Sequence, residues 1–295
     1  MSVRLLLLCP GQGGQSPGMF DLARTDARAA ALISNLGQFD RDTLFENRIA
    51  QPSVVGATLA MWEALKTRLP APSLVAGYSV GELSAYGVAG ALAPVDAVRI
   101  AARRAQLMDA SVTAPQALVA ISAMPVDRVR TIAGANGFTV AIVTGHDSCI
   151  AGGLENTLAG LEHVIAQAGA RLQRLPVGIA SHTPLMARAV APFIAELETA
   201  DFAPQACPVL SGICAETIVG KSRAIEALSR QLVETIVWDA CMDVAIEAGI
   251  NIALELGPGA ALARMLQARH PQIPCRSVAD FRSIDGIVSW FERVS

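Results

Sequence analysis

The residue of this chain best suited to covalent chemistry is Ser79, the centre of the pentapeptide Gly77-Tyr78-Ser79-Val80-Gly81. A short apolar run precedes the pentapeptide, and a helix-like stretch follows it. Gly-x-Ser-x-Gly between a strand and a helix is the sequence form of a nucleophile elbow, in which glycines take positions where a side chain would clash. The pattern predicts a nucleophilic serine. The alternative is a glycine-rich turn whose serine only caps the next helix.

Four histidines are available as a base for this serine, whose hydroxyl is a weak nucleophile at neutral pH without one. His163 falls within a predicted helix, His270 follows a helix end, and His146 lies in a Gly-His-Asp turn. His182 stands in the compact motif Ser-His-Thr-Pro at a predicted domain boundary, where clefts form. His182 is therefore the candidate base, with helix capping as its alternative role.

Acyl transfer through a serine also needs an oxyanion site, in which two amide donors face the developing negative charge. In an elbow one donor is the residue after the nucleophile, here Val80. The second candidate is Gln12, in the loop of residues 10–15 that carries Gly11 and Gly13. The glycine spacing does not fit a dinucleotide-binding loop, because a serine takes the third glycine position. The loop is instead predicted to bring backbone amides close to a reacting atom.

Two arginines interrupt an otherwise apolar helix predicted over Pro94–Ser111. The inward face of this helix is marked by an apolar stripe of Val98, Ala101, Ala105 and Met108. Arg104 borders the stripe more closely than Arg103, although solvation of both arginines is the usual outcome. An inward guanidinium in an acyl-transfer cleft offers a fixed fork for a carboxylate, which suggests an acyl group that carries a free acid.

Length and composition limit the class of protein. At 295 residues the chain can bury a large core, as one big domain or two modest ones. Hydrophobic residues make up 52% of the chain, but no apolar run reaches the roughly 18 residues that span a bilayer. A net charge of −3 without a basic stripe argues against a nucleic-acid partner. Six cysteines without metal-type spacing predict reduced thiols in a cytoplasmic protein and no metal site.

The first third of the chain predicts a buried strand followed by helices. Val3–Cys9 is a continuous apolar run, as expected for a strand buried on both faces of a parallel sheet. Residues 20–70 look helical, with breaks near Gly37 and at Gln51-Pro52, where a new helix is predicted to start.

The middle of the chain has a different character, which predicts an inserted domain. Over 115–177 the predicted order is β-α-β-β-α-β, the ferredoxin-like pattern, and α/β elements resume on either side. We therefore expect an α/β fold with a discontinuous catalytic domain, 1–114 and 178–295, around a small insertion, 115–177.

Five motifs occur in order along the chain. They are residues 10–15, the serine pentapeptide with Glu82, the arginine four positions before Met108, Ser181-His182-Thr183-Pro184-Leu185-Met186, and Gly257-Pro258-Gly259. Together they resemble the malonyl-CoA:acyl carrier protein transacylases, and the match spans essentially the whole chain. The resemblance implies an α/β-hydrolase-like large domain, with a parallel sheet flanked by helices, and a ferredoxin-like insertion.

The resemblance also implies a role for each candidate residue. A malonyl group would be carried on Ser79 with His182 as base, amides of Gln12 and Val80 would form the oxyanion hole, and Arg104 would hold the malonyl carboxylate. The supporting positions are Gly11, Gly13, Gly77, Gly81, Met108 and Val237. In this family a backbone carbonyl orients the histidine, and the matching stretch, residues 235–238, makes Val237 the expected source of that carbonyl.

Two departures from the family pattern bear on the branch. Tyr78 stands where a histidine usually precedes the nucleophile, and residues 143–147 replace an asparagine-containing loop. Tyr78 with Val80, and the loop form Gly-Gln-Gly-Gly-Gln, look more like the epsilon subunit of malonate decarboxylase. That branch implies transfer from malonyl-CoA to a carrier protein with a CoA-like thiol arm, together with other decarboxylase subunits and no bound cofactor.

The expected function is therefore ping-pong malonyl transfer through Ser79 to the malonate decarboxylase carrier. The first alternative is a malonyl transacylase of fatty acid or polyketide synthesis. The second is a serine thioesterase or hydrolase, which would want an acidic residue and a late histidine, for which only His270 is available. A third hypothesis is a non-catalytic subunit that binds the carrier. The presence of Ser79, His182 and Arg104 argues against it, because such a subunit needs none of them.

Overall fold

A six-stranded sheet organises the molecule, which a computed structural model describes over residues 3–36 and 43–295. From edge to edge its strands are β11 (Cys275–Ser277), β10 (Ile252–Glu255), β1 (Leu5–Cys9), β2 (Leu74–Gly77), β7 (Val209–Leu210) and β8 (Thr217–Ile218). Neighbouring strands are parallel, except β7 and β8. Every residue of β1 is buried, because alternate leucines face separate hydrophobic cores on the two sides of the sheet. The mixed α/β fold class is confirmed.

Nine helices surround this sheet within the described residues, and the longest two pack against each other beside the site described below. In chain order they are α1 (Ala27–Leu36), α2 (Asn47–Leu65), α3 (Gly81–Val88), α4 (Pro94–Ser111), α7 (Ala187–Thr199), α8 (Lys221–Arg230), α9 (Trp238–Glu247), α10 (Ala261–Arg269) and α11 (Ile284–Val294). The predicted bounds of α4 agree with the structure at both ends, since a proline at its first position fixes the start.

A second sheet contains the middle segment of the chain. From edge to edge its strands are β6 (Arg171–Arg174), β3 (Gln116–Ser122), β5 (Ser148–Leu154), β4 (Phe138–Gly145) and β9 (Ile236–Val237). With α5 (Val126–Ala135) and α6 (Leu158–Gln167), the first four strands follow the expected β-α-β-β-α-β order with antiparallel pairing. β9 comes from later in the chain and pairs in parallel with β4. The division into two domains at 115 and 177 stays a prediction.

The predicted start of α2 at Gln51-Pro52 is wrong by one turn. The helix begins at Asn47 and continues through Pro52. A proline at the sixth position has no N–H to donate to the carbonyl of Arg48, four residues earlier. Because Arg48 lies on the exposed side of the helix, only this one hydrogen bond is lost. The extra turn is held by Asn47, whose Nδ2 donates to the main-chain oxygen of Ala105 at 3.1 Å on α4. The break expected near Gly37 lies outside the described residues.

Several short elements were not predicted at all. These are β8, β9 and β11, together with the C-terminal helix α11. The signal for α11 is present in the sequence, since Ser283 caps its first turn by accepting from the N–H of Gly286 at 3.1 Å, and Ile284, Ile287 and Trp290 share a buried face. Among residues 3–36 and 43–295, no helix is long and apolar enough to cross a membrane. The same residues hold no group of three or more His, Cys, Asp or Glu that could bind a metal ion.

Candidate active site

Ser79 lies on a strained turn between β2 and α3, where the sequence predicts the nucleophile elbow. Its φ is 55°, a left-handed conformation that a side-chain-bearing residue adopts only when its surroundings enforce it. The enclosing glycines allow this tight turn. A Cβ on Gly81 would lie 2.1 Å from the main-chain oxygen of Cys9, and one on Gly77 would lie 2.3 Å from the backbone of Glu82. The elbow therefore depends on the absence of both side chains.

His182 meets the serine at hydrogen-bond distance. The Oγ of Ser79 lies 2.8 Å from Nε2 of His182, and Nδ1 of His182 lies 2.5 Å from the main-chain oxygen of Gln231. Because a carbonyl can only accept, Nδ1 carries the proton, and Nε2 is left free to accept from the serine hydroxyl. His182 has a φ of 60° and donates its own N–H to Leu232, so the main chain fixes the position of the ring.

The protonation state of His182 suits a base. Burial and the nearby positive charge of Arg104 together lower the pKa of His182 to about 3, although the hydrogen bond to Gln231 opposes both effects. The imidazole is therefore neutral at pH 7 and can accept a proton.

The carbonyl that orients His182 belongs to Gln231, so the expectation that Val237 provides it is wrong. Val237 lies in β9, where it pairs with Val143 of β4 and donates its N–H to Gly212 at 2.8 Å. The physical reason is that the chain turns directly after α8, and this turn brings Gln231 against His182. The stretch 235–238 instead joins the edge of the second sheet.

Arg104 faces inward from α4, whereas Arg103 is exposed. Arg104 is 2% exposed. Its Nη1 donates to Oε1 of Gln51 at 2.7 Å, and its Nη2 donates to Oε1 of Gln231 at 3.2 Å. Met108 lies one turn further along and contacts Nε2 of Gln51 through its sulfur at 3.3 Å. Burial lowers the pKa of Arg104 to about 10, so the guanidinium stays charged at neutral pH.

Glu82 completes the buried polar group. Its Oε2 accepts from Nε2 of Gln231 at 2.6 Å and from the N–H of Gly212 at 3.1 Å. The amide of Gln231 therefore bridges the guanidinium of Arg104 and the carboxylate of Glu82. Burial raises the pKa of Glu82 to about 7, although these two hydrogen bonds and the charge of Arg104 oppose the rise.

Two amides lie where an oxyanion hole is expected. Val80 is the first residue of the turn after Ser79, and Gln12 lies in the loop that follows β1, whose end pairs with the end of β2. Within the described residues neither amide N–H donates a hydrogen bond. Gly11 lies against the serine turn, and a Cβ there would be 2.8 Å from the main-chain oxygen of Tyr78. Gly13 has a φ of 120°, a backbone conformation that would be strained in any residue with a side chain.

One cleft between the two sheets is lined by Gln12, Ser79, Val80, Arg104 and His182. Apolar side chains of the second sheet, Leu118, Ile142 and Ile150, form the wall opposite Ser79 and Arg104. The cleft therefore combines a serine, a neutral histidine, two free amides and a buried cation under an apolar cover. This arrangement suits acyl transfer of a group with a negative charge.

Comparison with known proteins agrees with this geometry. Residues 6–280 match the model of the acyl transferase domain family. This chain belongs to the acyl transferase family. A malonyl CoA-acyl carrier protein transacylase of Mycobacterium tuberculosis is 28% identical over 303 residues, which cover 97% of this chain and 99% of that protein.

Solved structures show the same fold for this acyl transferase. The acyl-carrier-protein S-malonyltransferase of Burkholderia pseudomallei is 25% identical, with a TM-score of 0.90 over 97% of this chain and 100% of that one. A malonyl-transacylase solved in complex with its holo type II polyketide acyl-carrier protein is 23% identical. Its TM-score is 0.90, over 98% of this chain and 99% of that one.

Sequence reasoning missed the amides and the carboxylate that hold the charged groups of this acyl transferase. Gln231 and Glu82 had no assigned role, and Gln51 was considered only as a helix start. A signal was available for the last two, because Glu82 and Gln51 are polar residues inside apolar helical runs, and both are at most 1% exposed. No local pattern pointed to Gln231, which lies just after a helix with a strongly polar surface.

The other histidines lie away from the serine. His270 binds Asp243, with Nε2 2.9 Å from Oδ1, and Arg269 donates to the same carboxylate. The late histidine that a plain hydrolase would use is thus engaged elsewhere in this acyl transferase. His146 is in the turn between β4 and β5, and His163 is on α6.

Proposed function

We propose that this acyl transferase is an acyl-carrier-protein S-malonyltransferase of fatty acid or polyketide synthesis. The observation that carries the proposal is a buried, charged Arg104 in the same cleft as the Ser79–His182 pair. A guanidinium binds a carboxylate through two parallel hydrogen bonds, so the cleft favours an acyl group that ends in a free acid. Malonyl is the acyl group named for the Mycobacterium and Burkholderia relatives.

The first half of the reaction forms a malonyl ester on Ser79. Nε2 of His182 accepts the hydroxyl proton while Oγ attacks the thioester carbon of malonyl-CoA. The thioester oxygen becomes negative and binds the N–H groups of Gln12 and Val80, each worth about 3–4 kcal/mol in the transition state. The C–S bond then breaks, and the proton on His182 passes to the departing CoA sulfur.

The second half reverses these steps with a different thiol. His182 removes the proton from the thiol arm of the carrier, and the sulfur attacks the malonyl ester. The ester bond breaks, and the proton returns to the Ser79 oxygen. We infer that the acceptor is an acyl carrier protein, since a malonyl-transacylase of the same fold was solved with its holo carrier. We propose that the reaction uses malonyl-CoA and the carrier protein without a bound cofactor. We also propose that it takes place in the cytoplasm.

The two-domain division belongs to the same proposal. Residues 115–177 would form a ferredoxin-like insertion that covers the serine on an α/β-hydrolase-like domain. The apolar wall of the cleft supports this arrangement, because Leu118, Ile142 and Ile150 come from three strands of that segment.

The malonate decarboxylase branch is a second candidate, because the residue before the serine departs from the usual histidine. Tyr78 lines the cleft and packs edge-on against Trp238, with ring centroids 5.3 Å apart. The Mycobacterium and Burkholderia relatives are named for malonyl transfer to an acyl carrier protein, and a malonyl-transacylase of the same fold was solved with a type II polyketide carrier, which supports the fatty acid or polyketide assignment. Loading of holo carriers of both types from malonyl-CoA, at equal concentrations, decides the branch: a preference for the decarboxylase carrier would overturn the proposed assignment.

Intact-protein mass spectrometry tests the activity itself. Mixing the chain with malonyl-CoA should add one malonyl mass, located on Ser79, that disappears when holo carrier is added. The Ser79→Ala variant is the matched control and should gain no mass. Rapid release of malonate without carrier would instead show a hydrolase, and carrier binding without any adduct would show a non-catalytic subunit.

A further inference from the structure

A buried cation and a buried carboxylate lie close to the serine. Arg104 is 2% exposed and Glu82 is 0% exposed. They are joined through Gln231, whose side-chain oxygen accepts from Arg104 at 3.2 Å and whose amide donates to Glu82 at 2.6 Å. When Glu82 is ionised, the two charges sum to zero. Because solvent screens neither group, each charge is stabilised by the opposite charge of the other.

The surroundings of Glu82 offer no second permanent charge within the described residues. Tyr86 is on the same helix, and Cys241 approaches from α9; burial raises the pKa of both, so they are neutral near pH 7. Further away, the charges of Arg223 and Cys214 affect the pKa of Tyr86. Those of Asp239 and Cys214 affect the pKa of Cys241. Within residues 3–36 and 43–295, Arg104 is the one charged group that shifts the pKa of Glu82.

One oxygen of Glu82 has a free position for a proton. Oε2 accepts both hydrogen bonds of this carboxylate, whereas Oε1 is buried and has no partner among the described residues. A buried carboxylate oxygen without a donor is costly when ionised and far less so when protonated. The proton can therefore be added without breaking either existing hydrogen bond.

Malonyl binding, on which this inference rests as part of the proposed function, changes the charge balance. The malonyl carboxylate would bring a second anion to Arg104, and two carboxylates would then share one guanidinium in a buried site. We propose that Glu82 takes up a proton from solvent when an acyl carboxylate binds Arg104, which makes Glu82 a specificity-determining residue for acid-bearing acyl groups. Acetyl has no carboxylate and leaves Glu82 unchanged.

The sign of the pH dependence follows. Below about pH 7 Glu82 already holds its proton, in keeping with its pKa of about 7, and malonyl meets no competing anion. Above this pH malonyl binding requires a proton to be taken up and weakens as pH rises. His182, with a pKa of about 3, does not titrate in this range and acts equally on both acyl groups.

The first experiment compares acylation of Ser79 by malonyl-CoA and acetyl-CoA between about pH 6 and pH 8. The ratio of their kcat/KM values should fall about tenfold with rising pH in the wild type, mainly through the malonyl KM. Glu82→Gln should keep the ratio constant at its low-pH value. Glu255→Gln is the matched control, because Glu255 is another fully buried carboxylate with a pKa of about 7 but binds the N–H of Ala263 instead. It should retain the wild-type slope.

The second experiment needs no variant and holds even where Glu82→Gln fails to fold. In weakly buffered solution at pH 7, malonylation of Ser79 should consume about half a proton per serine, and acetylation none. No proton uptake, or an unchanged slope in a folded Glu82→Gln, would overturn the role of Glu82. If no malonyl adduct forms on Ser79 at all, the proposed function fails instead, which keeps the two failures distinct.

Discussion

At the scale of single residues, the site keeps its base, His182, in the neutral form. The buried imidazole of His182 is neutral because burial and Arg104 both disfavour its protonated form. Arg104 itself stays charged, since its pKa of about 10 is well above neutrality. A neutral base and a cationic anchor therefore coexist in one cleft, each suited to a different part of an acyl group.

Removal of the anchor should separate acyl groups by their charge. Arg104→Ala removes a charge-assisted contact worth roughly 1.5–3 kcal/mol, so transfer of malonyl should fall about ten- to a hundredfold. Acetyl transfer should be spared. The measurement is kcat/KM for each acyl-CoA, with Arg103→Ala as control, because Arg103 is the exposed neighbour and contacts Glu196 at 3.9 Å and Gln106 at 3.4 Å. An equal loss on both acyl groups would contradict the role of Arg104.

At the scale of elements, the site depends on how closely β1, β2 and α3 approach one another. Gly81 packs against the end of β1 so tightly that the main-chain oxygen of Cys9 occupies the space of a Cβ. This contact sets the height of Ser79 above the sheet. The loop that carries Gln12 starts from the same strand end, so one contact places both the nucleophile and one oxyanion donor.

Substitution at this contact should be costly in both stability and activity. Gly81→Ala would place Cβ 2.1 Å from the Cys9 oxygen, and relief of this overlap should cost about 2–3 kcal/mol of unfolding free energy and displace Ser79. Denaturant unfolding measures the loss, and the malonyl-adduct assay measures the displacement. Gly134→Ala, in open space on α5, should instead gain about 0.5–1 kcal/mol. Equal effects of the two substitutions would show that the elbow tolerates a side chain.

Local features of the site were predictable from the sequence, and distant contacts were not. The elbow of Ser79 is encoded in five consecutive residues, and the inward face of α4 is encoded in its periodicity. The bond from Gln231 to Glu82 joins residues 149 positions apart, and no sequence spacing reports such a pairing. Val237 was chosen for the orienting carbonyl because sequence alone does not show where the chain turns after α8.

At the scale of the whole molecule, buried ionisable groups link stability to pH in opposite directions. Glu82 and Glu255 have pKa values of about 7 in the folded chain and ordinary values near 4.5 when unfolded. Their contribution is fully present below the unfolded value and is lost as pH rises through about 7. His182 opposes them, since its lowered pKa makes acid destabilising below about pH 6.5.

Glu255→Gln isolates one of these contributions. The amide can still accept from Ala263 but carries no charge, so the variant should gain unfolding free energy over the wild type as pH rises from about 4 to 8. The expected gain is on the order of 3 kcal/mol. Denaturant unfolding of both proteins across this range provides the measurement. A difference between them that does not change with pH would mean that Glu255 keeps its ordinary pKa in the fold.

The contact between His182 and the main-chain oxygen of Gln231 has a consequence for how this site can change by mutation. Every amino acid brings the same carbonyl, so no single codon change at position 231 can delete the partner of the imidazole. Only a change in the path of the chain after α8, such as an inserted or deleted residue, would remove it. The tautomer of the base is therefore protected against point mutation, unlike that of a histidine held by an aspartate.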